Sequence, residues 1–461
     1  MSAPRVLGTT ALAMITMAAV VNLRNLSFLA ELGFTAVFFL IIAAAIFFIP
    51  IALVTAELAS SWPRPGGCYV WVDEAFGKRL AFVTIWLSWM ASVTWFPTIL
   101  AFTATMLAHM LHPIFPDLAS NVFFIFITML VIFWITTIIN FLGIQFSSFF
   151  ISLGVTVGTL IPGFLIIALG LWWIVTAQPS HTALTVNALM PDFKLDNLIL
   201  FSAVLLSLGG VELAAYHIRE AKNPQKSYPR AVLFAVIMIL AVYIFGTIGI
   251  VVVVPQTDLT LASGLIQAFN VFFANFGMSW TVPFIALFLF IGAIAGLNSY
   301  VLGPAKGLLV VAEDGFFPRW LQYVNKHEVP TSLLMTQALV GSVMSGLFLY
   351  INDVNASLWL FTAISTQFTV IQYLFVFCAA VKLRKSQPGV KRAFKVPAIN
   401  LCATLGIVAC IFSCFIIYAE HGKLVMSSHE EYCLLLVASL ILLMVPAALL
   451  MLYRNRSNTA K

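Results

Sequence analysis

Charge is what this 461-residue chain has least of: 9% of its residues are Asp, Glu, Lys or Arg, against 62% that are hydrophobic. Soluble domains carry roughly 25% charge, so a chain this long cannot cover a water-facing surface and a soluble globule is excluded. Disorder is excluded by the same figures, because it needs low hydrophobicity and high charge. The alternation of polar and apolar residues that marks a transmembrane β-barrel is missing as well. Cysteine is sparse: Cys68, Cys378, Cys402, Cys410, Cys414 and Cys433 show neither metal-ligand spacing nor a paired framework. They read as small membrane hydrophobes. There is no H-E-x-x-H, no nucleophile elbow and no phosphate loop, so neither an enzyme nor a metal or cofactor is expected. A soluble ATPase domain is lacking too, and active transport would have to run on gradients or exchange. What is present is a series of long apolar runs, which predicts a polytopic all-α integral membrane protein.

A spanning helix needs about 20 mainly apolar residues. That rule predicts twelve, at about 8–31, 34–60, 80–111, 121–141, 145–176, 197–217, 229–254, 282–310, 332–351, 356–381, 398–419 and 432–453. The first is read as a span rather than a signal peptide, since no cleavage-like boundary follows it. Residues 258–277 read as an interfacial helix. Spans 3 and 8 are unusually long, and they stand five apart. Spans 1 and 6 also stand five apart, and both carry polar or glycine interruptions. This spacing predicts an inverted repeat of five helices plus five. The first repeat covers about 8–176 and the second about 197–381, with two extra helices at 398–453. The whole of 1–453 is expected to form one transmembrane domain, and 454–461 a short tail.

The net charge of +6 is explained by the membrane rather than by nucleic acid. With the N-terminus inside, 20 Lys and Arg fall in cytoplasmic segments and two, Lys194 and Lys423, fall outside. The positive-inside rule then places both termini in the cytoplasm of a plasma membrane, bacterial inner membrane by preference. The one basic residue left over is Arg24, within span 1.

Span 6, FSAVLLSLGGVELAAYHIREAKNP, carries the strongest local signal. The glycine pair Gly209-Gly210 lowers the cost of leaving helical geometry. Unwound backbone exposes carbonyls at one half-helix end and N–H groups at the next, which suit an ammonium and a carboxylate. Close packing of helices through small residues is the competing reading. Glu212, beside the pair, is costly within a membrane and so a functional candidate, or a structural acceptor for the broken backbone or a neighbouring helix. Glu220 reads as an interfacial cap or gate. In span 1 the polar residues Asn22, Arg24 and Asn25 enter an apolar run without any glycine. Arg24 is a candidate contact for a substrate carboxylate, a partner for an acid such as Glu212, or a vestibule residue that snorkels outward. Glu57 precedes a tight Pro-Arg-Pro-Gly-Gly turn and either anchors that turn or relays protons. Trp95 and Tyr300 fall mid-span and are candidate cavity-lining gates.

These ordered motifs carry a resemblance. FFIPIALVTAELAS followed by PGGCYVWVDEAFGKR, then LIPGFLIIA, LSLGGVELAAYHIREAKNPQKSYPRA and SYVLGPAKGLLVVAEDGFFP resemble the amino acid–polyamine–organocation transporter superfamily. Within it the chain looks most like the glutamate/γ-aminobutyrate antiporter family. The resemblance implies the five-plus-five fold with broken spans 1 and 6, and a small amino acid or derived amine moved by alternating access. It implies that the substrate meets backbone at Ala18, Ala19, Val20, Val21 and Asn22, and at Ser207, Leu208, Gly209 and Gly210. Three features depart from the family. The break in span 1 lacks glycine, span 5 carries no lysine, and only about eight residues follow span 12, too few for a C-terminal plug. The expected function is an amino-acid exchanger or proton-coupled symporter, in a lipid bilayer, with a homodimer as a candidate assembly. A sodium-coupled symporter with an ion site between spans 1 and 8 is the rival within the class. A non-transporting receptor or a membrane-embedded enzyme is the rival outside it.

Overall fold

A computed structural model describes residues 5–182, 185–191, 194–351, 354–419 and 429–459. Lys423 and Lys461, used above for orientation, lie outside them. The described residues are helical, with one isolated bridge between Leu7 and Ala221. Among the described residues, ten helices are long and apolar enough to cross a membrane, and the bent pair Thr9–Val20 and Arg24–Ala30, taken as one span, makes an eleventh. Span 6 is the shorter apolar helix Leu195–Ser207, a non-helical stretch at 208–212, and the tight 3-10 helix Leu213–Glu220.

Local chemistry accounts for some of the helix boundaries. The Asn121 side chain accepts from the Phe124 amide at 3.0 Å and caps span 4, Val122–Asn140. Span 7, Pro224–Val251, opens on a proline whose missing N–H would have been unpaired there anyway. Span 2 and span 5 each widen into a π-turn, at Ala44–Phe48 and Thr156–Leu160. A proline follows each turn closely, Pro50 and Pro162. Proline clashes with the carbonyl four residues earlier, and a wider turn relieves that clash.

Spans 3 and 8 are single helices, Lys78–Leu111 and Val282–Glu313, of 34 and 32 residues. They pack along each other through the middle of the molecule. Span 5 crosses span 8 where Gly158 meets Gly292, and a β-carbon at either would overlap the other's backbone. Small residues permit this approach, which gains packing where lipid offers no hydrophobic drive. A short helix is present at Gly264–Asn275, within the residues 258–277 expected to be interfacial. A second short helix, Cys68–Phe76, follows the Pro-Arg-Pro-Gly-Gly turn directly and was not foreseen as a helix. Exposed apolar side chains such as Ile138, Phe149, Ile237 and Phe415 form the outer surface of the bundle, as a lipid-facing wall requires.

Candidate functional site

The breaks of spans 1 and 6 meet at the centre of the bundle. The halves of span 1 bend by 48°. Val21, at the bend, has φ −76° and ψ 91°, a conformation any residue adopts. Gly210 has φ +105°, a region that side chains disfavour. A β-carbon there would lie 2.6 Å from the Tyr300 hydroxyl and 3.3 Å from the Ala19 carbonyl oxygen. Glycine is therefore required twice over, by conformation and by space.

A cavity of about 50 Å³ opens between the two breaks. On the measure by which one water takes about 10–15 Å³, it has room for about four waters. Ala19, Val20 and Asn22 bound it from span 1, and Ser207, Gly209 and Gly210 from span 6. Ala18 and Val21 face a smaller neighbouring pocket against spans 5 and 8, which Asn22 also borders. Leu208 is fully buried and borders neither. Trp95 and Tyr300 pack with ring centres 4.4 Å apart and planes tilted by 33°, and both form part of the wall. Behind the lining residue Ser88 stands Tyr216, whose hydroxyl lies 2.9 Å from Ser88 Oγ and 3.2 Å from the Cys68 sulfur.

Glu212 is buried in the cavity wall, where it is the only charged residue. Its carboxylate accepts from the Tyr373 hydroxyl at 2.6 Å and from Gln372 Nε2 at 3.2 Å. The Tyr373 oxygen in turn accepts from the Gly210 amide at 2.7 Å. The expected alternative, a pair between Glu212 and Arg24, is not formed. Arg24 donates through Nη2 to Asn25 Oδ1 at 3.2 Å, and its Nε has no partner. Nor does Arg24 snorkel: it is 7% exposed. No ion pair joins it to an acid among the described residues.

The N–H groups that the resemblance offered to a substrate carboxylate are already engaged. Asn22 N donates to Val20 O and to the Tyr243 hydroxyl, and Arg24 N donates to Asn22 Oδ1. What span 1 leaves open is Asn22 Nδ2, a buried donor without a partner in a side chain that lines the cavity. Tyr243 and Tyr373 were both missed from the sequence. Tyr243 lies in an apolar run of span 7 and Tyr373 beside the polar residues of span 10, and no local pattern distinguishes either from a packing aromatic.

The remaining sequence candidates lie away from the cavity. Glu57 is 2% exposed and accepts from Arg384 Nε at 2.9 Å, Arg392 Nε at 3.1 Å and the Val396 amide at 2.7 Å. It anchors the connection between spans 10 and 11, not the Pro-Arg-Pro-Gly-Gly turn as expected. Glu220 pairs with Lys306 of span 8, and its backbone oxygen accepts from the Leu7 amide at 2.9 Å. It therefore ties the N-terminal segment to the end of span 6. Between spans 1 and 8, where a sodium-coupled protein was expected to hold its ion, Gly296 faces the Ala18 carbonyl. Asn298 points instead to Asn140 and Ser147.

Comparison with known proteins agrees with this architecture. The family model described as amino acid permease matches residues 7–446. An uncharacterised transporter of Legionella pneumophila is 40% identical, with 95% of each chain covered. A glutamate/gamma-aminobutyrate antiporter of Lactococcus lactis is 29% identical over 88% of this chain and 82% of its own length. A probable agmatine/putrescine antiporter of Lactococcus lactis is 26% identical over 80% and 77% respectively.

Proposed function

The chain belongs to the amino acid permease family, and on that footing we propose that it is a secondary active transporter working by alternating access. Its cargo is a small amino acid or derived amine, moved by exchange or with protons. The observation that carries this reading is the cavity between two interrupted helices. Interrupted helices present backbone ends to a ligand at a depth where irregular backbone is otherwise expensive. Glu212, the one charge in the wall, draws the cationic nitrogen of the substrate, and Asn22 Nδ2 supplies a free donor for the carboxylate end. The relatives named for glutamate, gamma-aminobutyrate, agmatine and putrescine agree with a substrate bearing a cationic nitrogen.

In this reading Leu195–Glu220 is the sixth of twelve spans, and the two five-helix repeats and the extra pair follow the boundaries predicted from the sequence. Both termini face the cytoplasm of a bacterial inner membrane, the orientation required by the positive-inside rule. Trp95 with Tyr300, and Tyr216 beneath them, act as gates. Glu57 and Glu220 hold the cytoplasmic ends. Arg24 serves the carboxylate of acidic substrates once the outer half of span 1 moves.

The test is counterflow. Proteoliposomes loaded with unlabelled substrate should accumulate labelled amino acid, across a panel that includes acidic, neutral and basic members. Absence of both exchange and gradient-driven uptake for the whole panel rejects the reading. Uptake that requires sodium selects the sodium-coupled rival.

A further inference from the structure

Two half-helices end at the same point. The first half of span 1 ends at Val20 and the first half of span 6 at Ser207. A helix C-terminus presents carbonyl oxygens and the negative end of the helix dipole. Two such ends brought together form an acceptor site that calls for a donor or a cation. Here the position is filled from a third helix. The Tyr243 hydroxyl, from span 7, lies 2.5 Å from Val20 O and 3.2 Å from Ser207 O, so its single proton is shared between the two carbonyls. The same oxygen accepts from the Asn25 Nδ2 at 3.0 Å and from the Asn22 amide at 3.2 Å. One donation and two acceptances are all that a phenol can make. Tyr243 is fully buried, and it touches both sides of the substrate cavity through residues that line it, Val20, Asn22, Asn25 and Ser207.

We infer that Tyr243 is a positioning residue whose hydroxyl is a tethered substitute for a cation at the junction of the two breaks. Because the chain carries its own donor at that point, substrate binding there needs no alkali cation. The hydroxyl holds Asn22 and Ser207 at the spacing the substrate meets. The inference rests on the transporter reading only for its substrate arm.

Wild type, Tyr243→Phe and Tyr243→Ala are purified, and thermal unfolding is followed in sodium, lithium or choline chloride. Each is measured alone and with the amino acid that stabilises wild type most in a panel. Wild-type affinity should agree across the three salts. Tyr243→Phe should bind about tenfold more weakly in all of them, the size expected when buried groups lose a hydrogen-bond partner. Tyr243→Ala opens the position. Sodium or lithium, but not choline, should raise its unfolding temperature even without substrate, and should restore part of its binding. A structural residue with no cation-like role would give no such salt response. The inference is overturned if wild-type binding falls in choline, if Tyr243→Phe binds as wild type does, or if Tyr243→Ala is indifferent to the salt. If wild type binds nothing in the panel, the transporter reading fails, and the salt response of substrate-free Tyr243→Ala still decides the inference. If Tyr243→Ala does not fold, the wild-type salt series and Tyr243→Phe decide it.

Discussion

Span 1 and span 6 are both interrupted at the centre of the molecule, but by different means. Span 6 breaks because its own residues favour it: Gly210 occupies φ +105°, which a side chain would resist. Span 1 breaks at φ −76°, where valine is comfortable, and it is held open from outside by Tyr243, a residue 223 positions from Val20. The acceptor ends are served by Tyr243, and the donor end at Gly210 by Tyr373. One interruption is written locally and the other is imposed by packing, so the two should respond to substitution in opposite ways.

The largest effect is expected at the locally written break. Gly210→Leu places a side chain against Tyr300 and Ala19 at a disfavoured φ, and counterflow should fall to background while the protein still elutes as a folded species. Normal transport by Gly210→Leu would mean that span 6 can rewind without loss. Next comes the hydroxyl that serves this break. Tyr373→Phe leaves the Gly210 amide and the buried Glu212 carboxylate each short of a partner, a loss of about 1–3 kcal/mol for each group. Substrate affinity should drop by roughly 100-fold on that basis, and a drop of less than threefold would show that water replaces the hydroxyl.

Arg24→Ala probes the captured break. Loss of a charged donor costs about 1.5–3 kcal/mol where its bond is made, so acidic amino acids should weaken by about tenfold or more while neutral ones change little. An equal loss for both kinds in a competition assay would assign Arg24 to structure alone. A smaller effect is expected from Val21→Gly. The break already uses a conformation open to any residue, so the change acts mainly through the entropy of the unfolded chain, about 0.4–1 kcal/mol. Counterflow should be nearly unchanged, and a large loss would show that span 1 has a local requirement after all.

The smallest effect lies away from both breaks and serves as a control. Burial alone would raise the Asp314 carboxyl, but hydrogen bonds from Lys78 and Tyr69 outweigh it and hold the group below the usual carboxylate range. A depressed carboxyl stabilises the fold above its unfolded pKa, and the contribution is lost as pH falls through the lower folded value. Both partners of the ion pair are partly exposed, so the effect is modest. Asp314→Asn should lower the unfolding temperature slightly at neutral pH and not at all in acid. A difference that persists in acid would assign the effect to packing.

The contrast between the breaks also explains what could be read in advance. Apolar length and interruption located the helices, because the bilayer imposes one length rule on every span. Gly209-Gly210 beside Glu212 located the break in span 6, because glycine pairs have a backbone consequence wherever they occur. The partners of Glu212 were not legible. Tyr373 and Gln372 lie in span 10 among Ser365, Thr366 and Gln367, and only the packing selects which of them faces the acid. Glu57 was read as an anchor of the nearby turn or a proton relay, while its actual partners Arg384 and Arg392 were counted only as loop charge. Sequence spacing does not report that the connection after span 10 folds back onto the end of span 2.

The sequence by itself determined that this is a many-spanning helical membrane protein of transporter type, that charge within its spans is rare, and where span 6 breaks. Each of these follows from a rule acting over a few residues or over bulk composition. The tertiary structure decided what holds span 1 broken, which groups answer Glu212, and that Arg24 stands buried without an acid partner among the described residues. Those outcomes depend on hydroxyls and carboxylates brought together across hundreds of residues. Such meetings are set by how helices pack, and no local pattern in the chain records them.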